Sequence, residues 1–465
     1  MNEYDYDIAV IGGGSGGYAA ARTAANAGLR TAVIEGGREI GGLCILRGCM
    51  PAKALLYAAE VKHLAQHSDA WGFRSHNLTY DFAKVMARKN SLIKGFADYR
   101  AQQLTEATFK FIRAHARFTD PHALALSTGE KLTSKNFVIS TGSVVAPPPF
   151  PFLQNLDYIT SDEALALERL PKSLIILGGG SVAAELAQFF ARFDVKVTLL
   201  QRSNRLLHEF DLDATNELEK VCRREGINLF TNTRITGASR SGGRKKISFL
   251  HDSGEVHVEA EEVLFALGRV PNTAPLDLDK AGVKTEKLRI ITNDEMQTSA
   301  RHIYAAGDCA SPFEIVHLAV IQGETAAHNI ASPHQPRRMD YRLLTSIVFT
   351  EPQLAKVGLT EKEALSRGIP YLAASYLFAD HGKSLIMETL DGFVKLLADP
   401  ASGEIIGGSC VGPVGGELIH EIVVAMHKHM TVRELASLPH YHPTLAEIWT
   451  YPAEELSERI SSRPA

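Results

Sequence analysis

Apolar and polar positions divide the chain into short strand-like runs and longer helical stretches, and one arrangement of them occurs twice. Asp7-Ile8-Ala9-Val10-Ile11 is a short apolar run that ends in Gly12-x-Gly14-x-x-Gly17, and an apolar-periodic stretch over 18–27 follows. Ser173-Leu174-Ile175-Ile176-Leu177 ends in Gly178-x-Gly180-x-x-Ala183 and again leads into an apolar-periodic stretch. Short apolar runs bounded by glycine read as strands, and three-to-four spacing after them reads as helix. A second β-branched strand closes each unit, at 31–34 and at 195–200. Strand, glycine turn, helix and strand in that order form a βαβ dinucleotide-binding unit. Two such units predict two nucleotides bound at once.

Pro147-Pro148-Pro149 separates the two units and reads as a linker. From Arg337 onward the pattern is mixed strand and helix with no further phosphate loop, including Asp391-Gly392-Phe393-Val394-Lys395, so this part reads as a separate α+β domain. The length of 465 residues agrees, since it exceeds what one compact core holds. The expected fold class is α/β. Its parts are a first nucleotide-binding domain at 1–148, a second at 149–272, a return to the first at 273–336, and the α+β domain at 337–465.

Charge and composition narrow the partners. A net charge of −4 leaves no basic surplus for a phosphate backbone, so nucleic acid is not expected. No apolar run is seen to approach the roughly 18 residues that span a bilayer, and Met1-Asn2-Glu3-Tyr4 is no signal pattern, so no membrane partner and a cytoplasmic location are expected. Of Cys44, Cys49, Cys222, Cys309 and Cys410 only the first two are close in sequence. That is a poor framework for a secreted fold, and it suits one redox pair with three inert packing cysteines.

The first glycine loop offers backbone N–H groups and a helix N-terminus to a pyrophosphate. Glu35 stands at the end of the next strand, where a carboxylate holds a ribose hydroxyl pair. Cys44 and Cys49 follow in Gly41-Gly42-Leu43-Cys44-Ile45-Leu46-Arg47-Gly48-Cys49-Met50-Pro51-Ala52-Lys53. In a continuous helix their Cα atoms would lie about 7.5 Å apart along the axis alone, beyond the roughly 7 Å that a disulfide allows. A bonded pair therefore needs an irregular segment, which Gly48 permits; two buried structural thiols are the alternative. Pro51 suits the first turn of a helix through 54–64, which would put Cys49 at its N-terminus, where the dipole favours a thiolate. Lys53 falls four residues on, along the same face.

This loop resembles that of the FAD-dependent pyridine nucleotide–disulfide oxidoreductases, the family of dihydrolipoamide dehydrogenase, glutathione reductase and mercuric reductase. Further marks are Thr141-Gly142-Ser143, Leu267-Gly268-Arg269-Val270-Pro271-Asn272-Thr273, Ile303-Tyr304-Ala305-Ala306-Gly307-Asp308, Phe349-Thr350-Glu351-Pro352 and His442-Pro443-Thr444-Leu445-Ala446-Glu447. They cover nearly the whole chain in the family's order. The resemblance implies two Rossmann-like domains, for FAD and NAD(P), and a C-terminal dimerisation domain. Gly12, Gly14, Ser15, Gly17, Glu35, Gly42, Lys53, Thr141, Gly142 and Asp308 would serve the flavin nucleotide, Asp308 at its ribityl chain, and Gly268 and Arg269 would also bind a cofactor. Gly178, Gly180, Ala183 and Arg202 would serve the nicotinamide nucleotide. Cys49 would lie against the flavin, and Cys44 would attack substrate. Lys53 would pair with Glu185, and His442, held by Glu447, would be the acid–base, reaching the thiols of the other subunit of a homodimer. A histidine suits proton transfer near neutral pH, and a carboxylate fixes its tautomer. His440-Tyr441-His442 also admits a metal reading, but no nearby ligand set supports it, and no metal is expected.

An NAD site usually carries an acid at the end of its second strand, whereas Leu200-Gln201-Arg202-Ser203-Asn204-Arg205 has arginines there, so NADP(H) is expected over NAD(H). Arg202 and Arg205 as solvated surface charges are the alternative. Leu445-Ala446-Glu447 and Gly416-Glu417-Leu418-Ile419 look most like dihydrolipoamide dehydrogenase, which suggests a lipoyl-type or other small disulfide or dithiol substrate. Gly14-Ser15-Gly16-Gly17 with Arg22 looks more like glutathione reductase, but Glu324 falls where that enzyme has a substrate-binding arginine. Mercuric reductases end in a vicinal cysteine pair, and Ser461-Ser462-Arg463-Pro464-Ala465 has none. Arg47 reads equally as an anion-attracting group or a solvated one.

Overall fold

A computed structural model describes residues 3–74, 78–252 and 254–462. Met1, Asn2 and Arg463-Pro464-Ala465, which entered the readings above, lie outside the described residues. The chain forms two compact units. The first is Met1–Ala54, Ala83–Pro147 and Gly268–Met339; the second is Leu55–Phe82, Pro148–Leu267 and Asp340–Ala465.

The chain opens with β1 (Tyr6–Ile11), α1 (Ser15–Asn26), β2 (Thr31–Ile34), α2 (Gly42–Arg47), α3 (Cys49–Gln66) and α4 (Phe82–Thr105). In the first unit β1 runs parallel to β2 on one side and to the strand Lys131–Ile139 on the other. Lys110–Ile112 extends the sheet beyond β2, and Ile303–Ala305 joins Lys131–Ile139, both in parallel. Ala116–Asp120 and Ala123–Leu126 complete seven strands on the antiparallel side. Parallel strands covered on both faces need unbroken apolar runs, and Ile8, Ala9, Val10, Ala32 and Val33 have no exposed surface. α1 begins at Ser15, earlier than its hydrophobic pattern predicts, because Gly16 and Gly17 have no side chain to register. Their bareness has a cause: a Cβ on Gly16 would stand 2.9 Å from the Ala319 carbonyl oxygen, and one on Gly323 would stand 2.2 Å from that of Gly16. α1 and the helix Val316–Ala331 thus touch backbone to backbone.

In the second unit, Ser173–Leu177 is the centre of a five-stranded parallel sheet, flanked by Lys196–Leu200 and Glu262–Phe265, with Asn228–Phe230 and Ile159–Thr160 at the edges. A second sheet of five antiparallel strands runs in the order Thr345–Val348, Gln353–Gly358, Ile405–Gly412, Phe393–Ala398 and Leu372–Leu377. The helices Gly415–His427 and Thr450–Ser461 close its core, at whose centre Trp449 is fully buried and donates Nε1–H to the Leu418 carbonyl at 3.1 Å. Lys395, buried in the strand Phe393–Ala398, meets Asp211 at 3.0 Å and Asp213 and Glu361 at 2.7 Å. A buried ammonium needs such partners, and these tie the glycine-loop segment of the unit to its antiparallel segment.

One expectation is corrected. Gly42–Gln66, taken across α2 and α3, is long and apolar enough to cross a membrane by length and composition. Arg47, Gly48 and Lys53 interrupt the apolar run, so inspection of uninterrupted stretches misses it; Gly48 also divides it into two helices.

Candidate active site

The N-terminus of α1 is capped by Gly14 with no side-chain hydrogen bond, which leaves first-turn N–H groups to a ligand. Each glycine of the loop has its own reason. Gly12 has φ +104°, and a Cβ there would meet the Ser140 carbonyl oxygen at 2.3 Å; one on Gly17 would stand 1.8 Å from that of Gly12. At Gly14 a Cβ would meet only the Cα of Gly42, at 3.9 Å. Protein packing does not require glycine at 14, whereas a pyrophosphate against the backbone does. Glu35 at the end of β2 is held by N–H donors from Gly13 at 2.8 Å and Gly37 at 2.6 Å, one to each oxygen. Each oxygen keeps a lone pair for a ribose hydroxyl.

The third strip of this site comes from distant sequence. Ser143 Oγ donates to Asp308 at 2.7 Å and accepts from Arg269 Nε at 2.8 Å, and Arg269 Nη2 donates to the Ser143 carbonyl at 2.8 Å. Gly142 and Gly268 beside them have φ +67° and +115°. Thr141 Oγ1 and Arg289 Nε are buried without a hydrogen-bond partner among the described residues. Orphaned buried donors of this kind call for a ligand, and the set fits a dinucleotide.

The cysteine loop forms the irregular segment that a close pair requires. α2 ends at Gly48, whose φ of −128° and ψ of −115° break the helix, and α3 starts at Cys49. A Cβ on Gly48 would lie 3.0 Å from the Leu43 carbonyl oxygen and 3.3 Å from Cys44 Cα, so the bare residue lets the chain fold back on Cys44. Both cysteines are half-buried thiols. The Cys49 thiol hydrogen-bonds to Cys44 and, together with burial, pushes the Cys44 thiol well above the ordinary thiol range. Arg47 is ion-paired with Glu39. The other three cysteines are buried, and burial pushes Cys222 up to about 12 and Cys309 up to about 11; these thiols are built for packing.

In the second unit, His442 is 78% exposed and Glu447 10% exposed, with His442 Nδ1 at 3.0 and 3.2 Å from the two carboxylate oxygens. Glu447 is placed by the turn Ala446–Trp449, itself anchored by buried Trp449. With the carboxylate at Nδ1, Nε2 is the ring nitrogen left for proton transfer. His440 Nε2 meets Glu421 at 2.6 Å. Among the described residues no cluster of three or more His, Cys, Asp or Glu could hold a metal ion.

In the second glycine loop, Gly178 has φ +126° and would place a Cβ 2.2 Å from the Ala266 carbonyl oxygen, Gly180 faces open space, and Ala183 is fully buried. Gln201 closes the strand with its side chain turned to the Arg202 N–H at 3.0 Å. Arg205 is spent on the carbonyls of His208 at 3.1 Å and Phe210 at 3.2 Å, whereas Arg202 is exposed and its guanidinium has no partner among the described residues. Glu185 accepts the Phe349 N–H at 2.9 Å. Lys53 belongs to the first unit and Glu185 to the second.

Two residues that the motifs did not single out stand near these sites. The Arg100 guanidinium stacks 4.3 Å over the Tyr18 ring with Nε and Nη1 buried and without a hydrogen-bond partner among the described residues, beside a cleft of about 330 Å³ lined by Tyr18, Arg22, Tyr99, Gln103 and Phe109. Arg22 itself is paired with Glu324 at 2.8 Å. His381, fully buried, approaches Glu447 Oε1 at 3.3 Å. No local pattern marks Arg100 or His381, since both belong to stretches whose charges read as solvated.

Comparison with known proteins agrees with this layout. Residues 6–323 match the family described as pyridine nucleotide-disulphide oxidoreductase, and 344–453 match its dimerisation domain. The chain is 34% identical over 450 residues to the dihydrolipoyl dehydrogenase of Geobacillus stearothermophilus, covering 96% of this chain and 95% of that one. It is 33% identical over 445 residues to the mercuric reductase of Staphylococcus aureus, covering 95% and 81%. The structure of the HOCl-induced flavoprotein disulfide reductase RclA from Escherichia coli has the same fold, with a TM-score of 0.85 at 24% identity over 99% of this chain and 100% of that one. With both nucleotide loops, the cysteine pair and the C-terminal domain accounted for, the chain belongs to the pyridine nucleotide-disulphide oxidoreductase family and, as the family does, uses FAD.

Proposed function

We propose that this protein is an NAD(P)H:disulfide oxidoreductase of the dihydrolipoyl dehydrogenase kind, cycling Cys44 and Cys49 between dithiol and disulfide. The observation that carries the reading is the Gly48 fold-back, which brings two thiols together next to a phosphate loop where Gly42 and Gly14 nearly touch. FAD would be held by Gly12, Gly14, Ser15, Gly17, Glu35, Gly42, Lys53, Thr141, Gly142, Asp308, Gly268 and Arg269. When bound, it supplies the two-electron link between the nicotinamide and the thiols.

The thiol chemistry itself belongs to the chain. His442 of the partner subunit takes the proton of the Cys44 thiol, whose thiolate attacks one sulfur of a substrate disulfide, forming a mixed disulfide and releasing one substrate thiolate, to which His442 passes that proton. The Cys49 thiolate then attacks the Cys44 sulfur, expelling the second substrate thiolate and closing the Cys44–Cys49 disulfide. Two electrons leave the dithiol, and the nicotinamide cofactor restores them. Glu447 holds the His442 tautomer so that Nε2 works on the sulfur side.

The Arg22–Glu324 ion pair supports a lipoyl-type substrate over a glutathione-type one. A glutathione carboxylate needs free cationic partners, and here one arginine is neutralised by the acid that replaces the other. For the nicotinamide, exposed Arg202 with Gln201 in place of an acid supports NADP(H).

The test is a count of reactive thiols in the anaerobic holoenzyme before and after NADPH, together with turnover on lipoamide, glutathione disulfide, coenzyme A disulfide and mercuric ion. Two new thiols per chain and the highest kcat/KM on lipoamide are expected, with Cys44→Ser inactive on every disulfide. An unchanged thiol count would overturn the reading.

A further inference from the structure

The acid–base dyad has a third member. Glu447 is nearly buried, and among the described residues its carboxylate is approached by two imidazoles and by no other donor: His442 Nδ1 at 3.0 and 3.2 Å, and His381 Nε2 at 3.3 Å from Oε1. The two rings differ in setting. His442 is open to solvent, whereas His381 has no exposed surface. His381 Nδ1 lies 3.0 Å from Ser384 Oγ, also fully buried, and Glu447 Oε1 is the one acceptor near its enclosed Nε2 among the described residues. With the Ser384 hydroxyl donating to Nδ1, the ring's N–H is at Nε2, which lies 3.3 Å from the carboxylate and makes no hydrogen bond to the described residues.

We propose that His381 is a positioning residue for this dyad: its buried Nε2, unsatisfied among the described residues and 3.3 Å from Glu447 Oε1, draws that oxygen so that the carboxylate stays turned to His442. The inference rests on the reading of His442 as acid–base. Burial holds the charged form of His381 down, and the nearby His442 acts in the same direction, while Glu447 opposes them. The ring is therefore a neutral donor at working pH. The other titratable groups around it are Tyr451, whose ring lies 6.3 Å away, Tyr376, stacked on Tyr451 at 4.0 Å, and neighbouring Asp380, whose carbonyl accepts from the Tyr376 hydroxyl. None of these places a second charge against Glu447.

The donor stabilises the carboxylate most when His442 is neutral, because no cation then shares that charge. Removing it should favour the charged form of His442 and loosen the carboxylate. In the holoenzyme, His381→Leu keeps the volume without the donor, His381→Asn reaches Ser384 but falls short of Glu447, and His381→Gln places an amide N–H near the old Nε2. Leu and Asn should lower kcat roughly tenfold. They should also move the midpoint of the His442-governed pH limb upward by about half a unit. Gln should recover most of both. Nitrogen NMR of labelled histidines should show the His442 ring losing its fixed tautomer in Leu and Asn and regaining it in Gln. Equal losses in Asn, Leu and Gln that follow thermal stability alone would reduce His381 to packing and overturn the proposal. So would a native rate and native profile in Leu, provided that His442→Gln is inactive. An active His442→Gln enzyme would instead sink the underlying acid–base reading.

Discussion

Arg202 and Arg205 are alike in sequence and unlike in the structure, and the difference is what each guanidinium already touches. Arg205 is bound to two backbone carbonyls, so its charge is committed to the loop 201–210. Arg202 is exposed and unpartnered among the described residues, at the end of a strand where a carboxylate would repel a 2′-phosphate. Native kcat/KM should therefore favour NADPH over NADH. Loss of one charged contact costs about 1.5–3 kcal/mol, so Arg202→Ala should reduce that preference by roughly ten- to a hundredfold, with Arg205→Ala acting instead on stability. Steady-state kinetics with both cofactors measures this, and equal use of NADH by the native enzyme would refute it. Residues of this kind mark the limit of reading from sequence. The glycines of both loops and the dyad His442–Glu447 were legible because backbone geometry and short spacing are local properties. Arg100 and His381 were not, because a charge buried by distant chain is written in the same letters as a solvated one.

At the scale of elements, the turn Phe349-Thr350-Glu351-Pro352 was legible as a family mark without a visible purpose. It docks on the helix Ser181–Arg192, where Gln188 exchanges two hydrogen bonds with the Glu351 backbone, both 2.7 Å, and Arg192 holds Glu225 at 2.7 Å. The residue keeps some exposure, but its carboxyl group is enclosed: burial, together with Glu60, Glu225 and Asp391, outweighs Arg192 and pushes it up to about 8 from 4.5. An acid raised on folding binds a proton that the unfolded chain has released, so its contribution is full below about 4.5 and is lost as pH rises through about 8. Glu351→Gln, neutral at every pH, should escape that loss. The fall in Tm of the native protein between pH 5 and pH 8 should exceed that of the variant by at least about 2 °C in calorimetry. Parallel curves would show that the carboxyl titrates normally. The break between α2 and α3 shows the converse case. Its need was legible from the reach of a disulfide, and Gly48 was the residue able to meet it.

At the scale of the whole molecule, the cysteines lie in the first compact unit near the start of the chain, and the His442–Glu447 pair lies in the part that matches a dimerisation domain. If the working site joins Cys44 and Cys49 to His442 of the partner subunit, a two-fold dimer contains two composite sites, each drawing on both chains. Complementation separates this arrangement from one complete within a single chain. Cys44→Ala and His442→Ala homodimers should each be nearly inactive, since every site carries one lesion. After dissociation, equal mixing and reassociation, random pairing makes about half of the dimers mixed. In a mixed dimer both lesions fall in the same site and the other site is intact, so about a quarter of native activity should return. Sites complete within one chain would each keep a lesion whatever the pairing, and no activity would return. Exchange must be shown independently, by mass or by a tag on one chain, so that a silent mixture counts against shared sites only where mixed dimers are present.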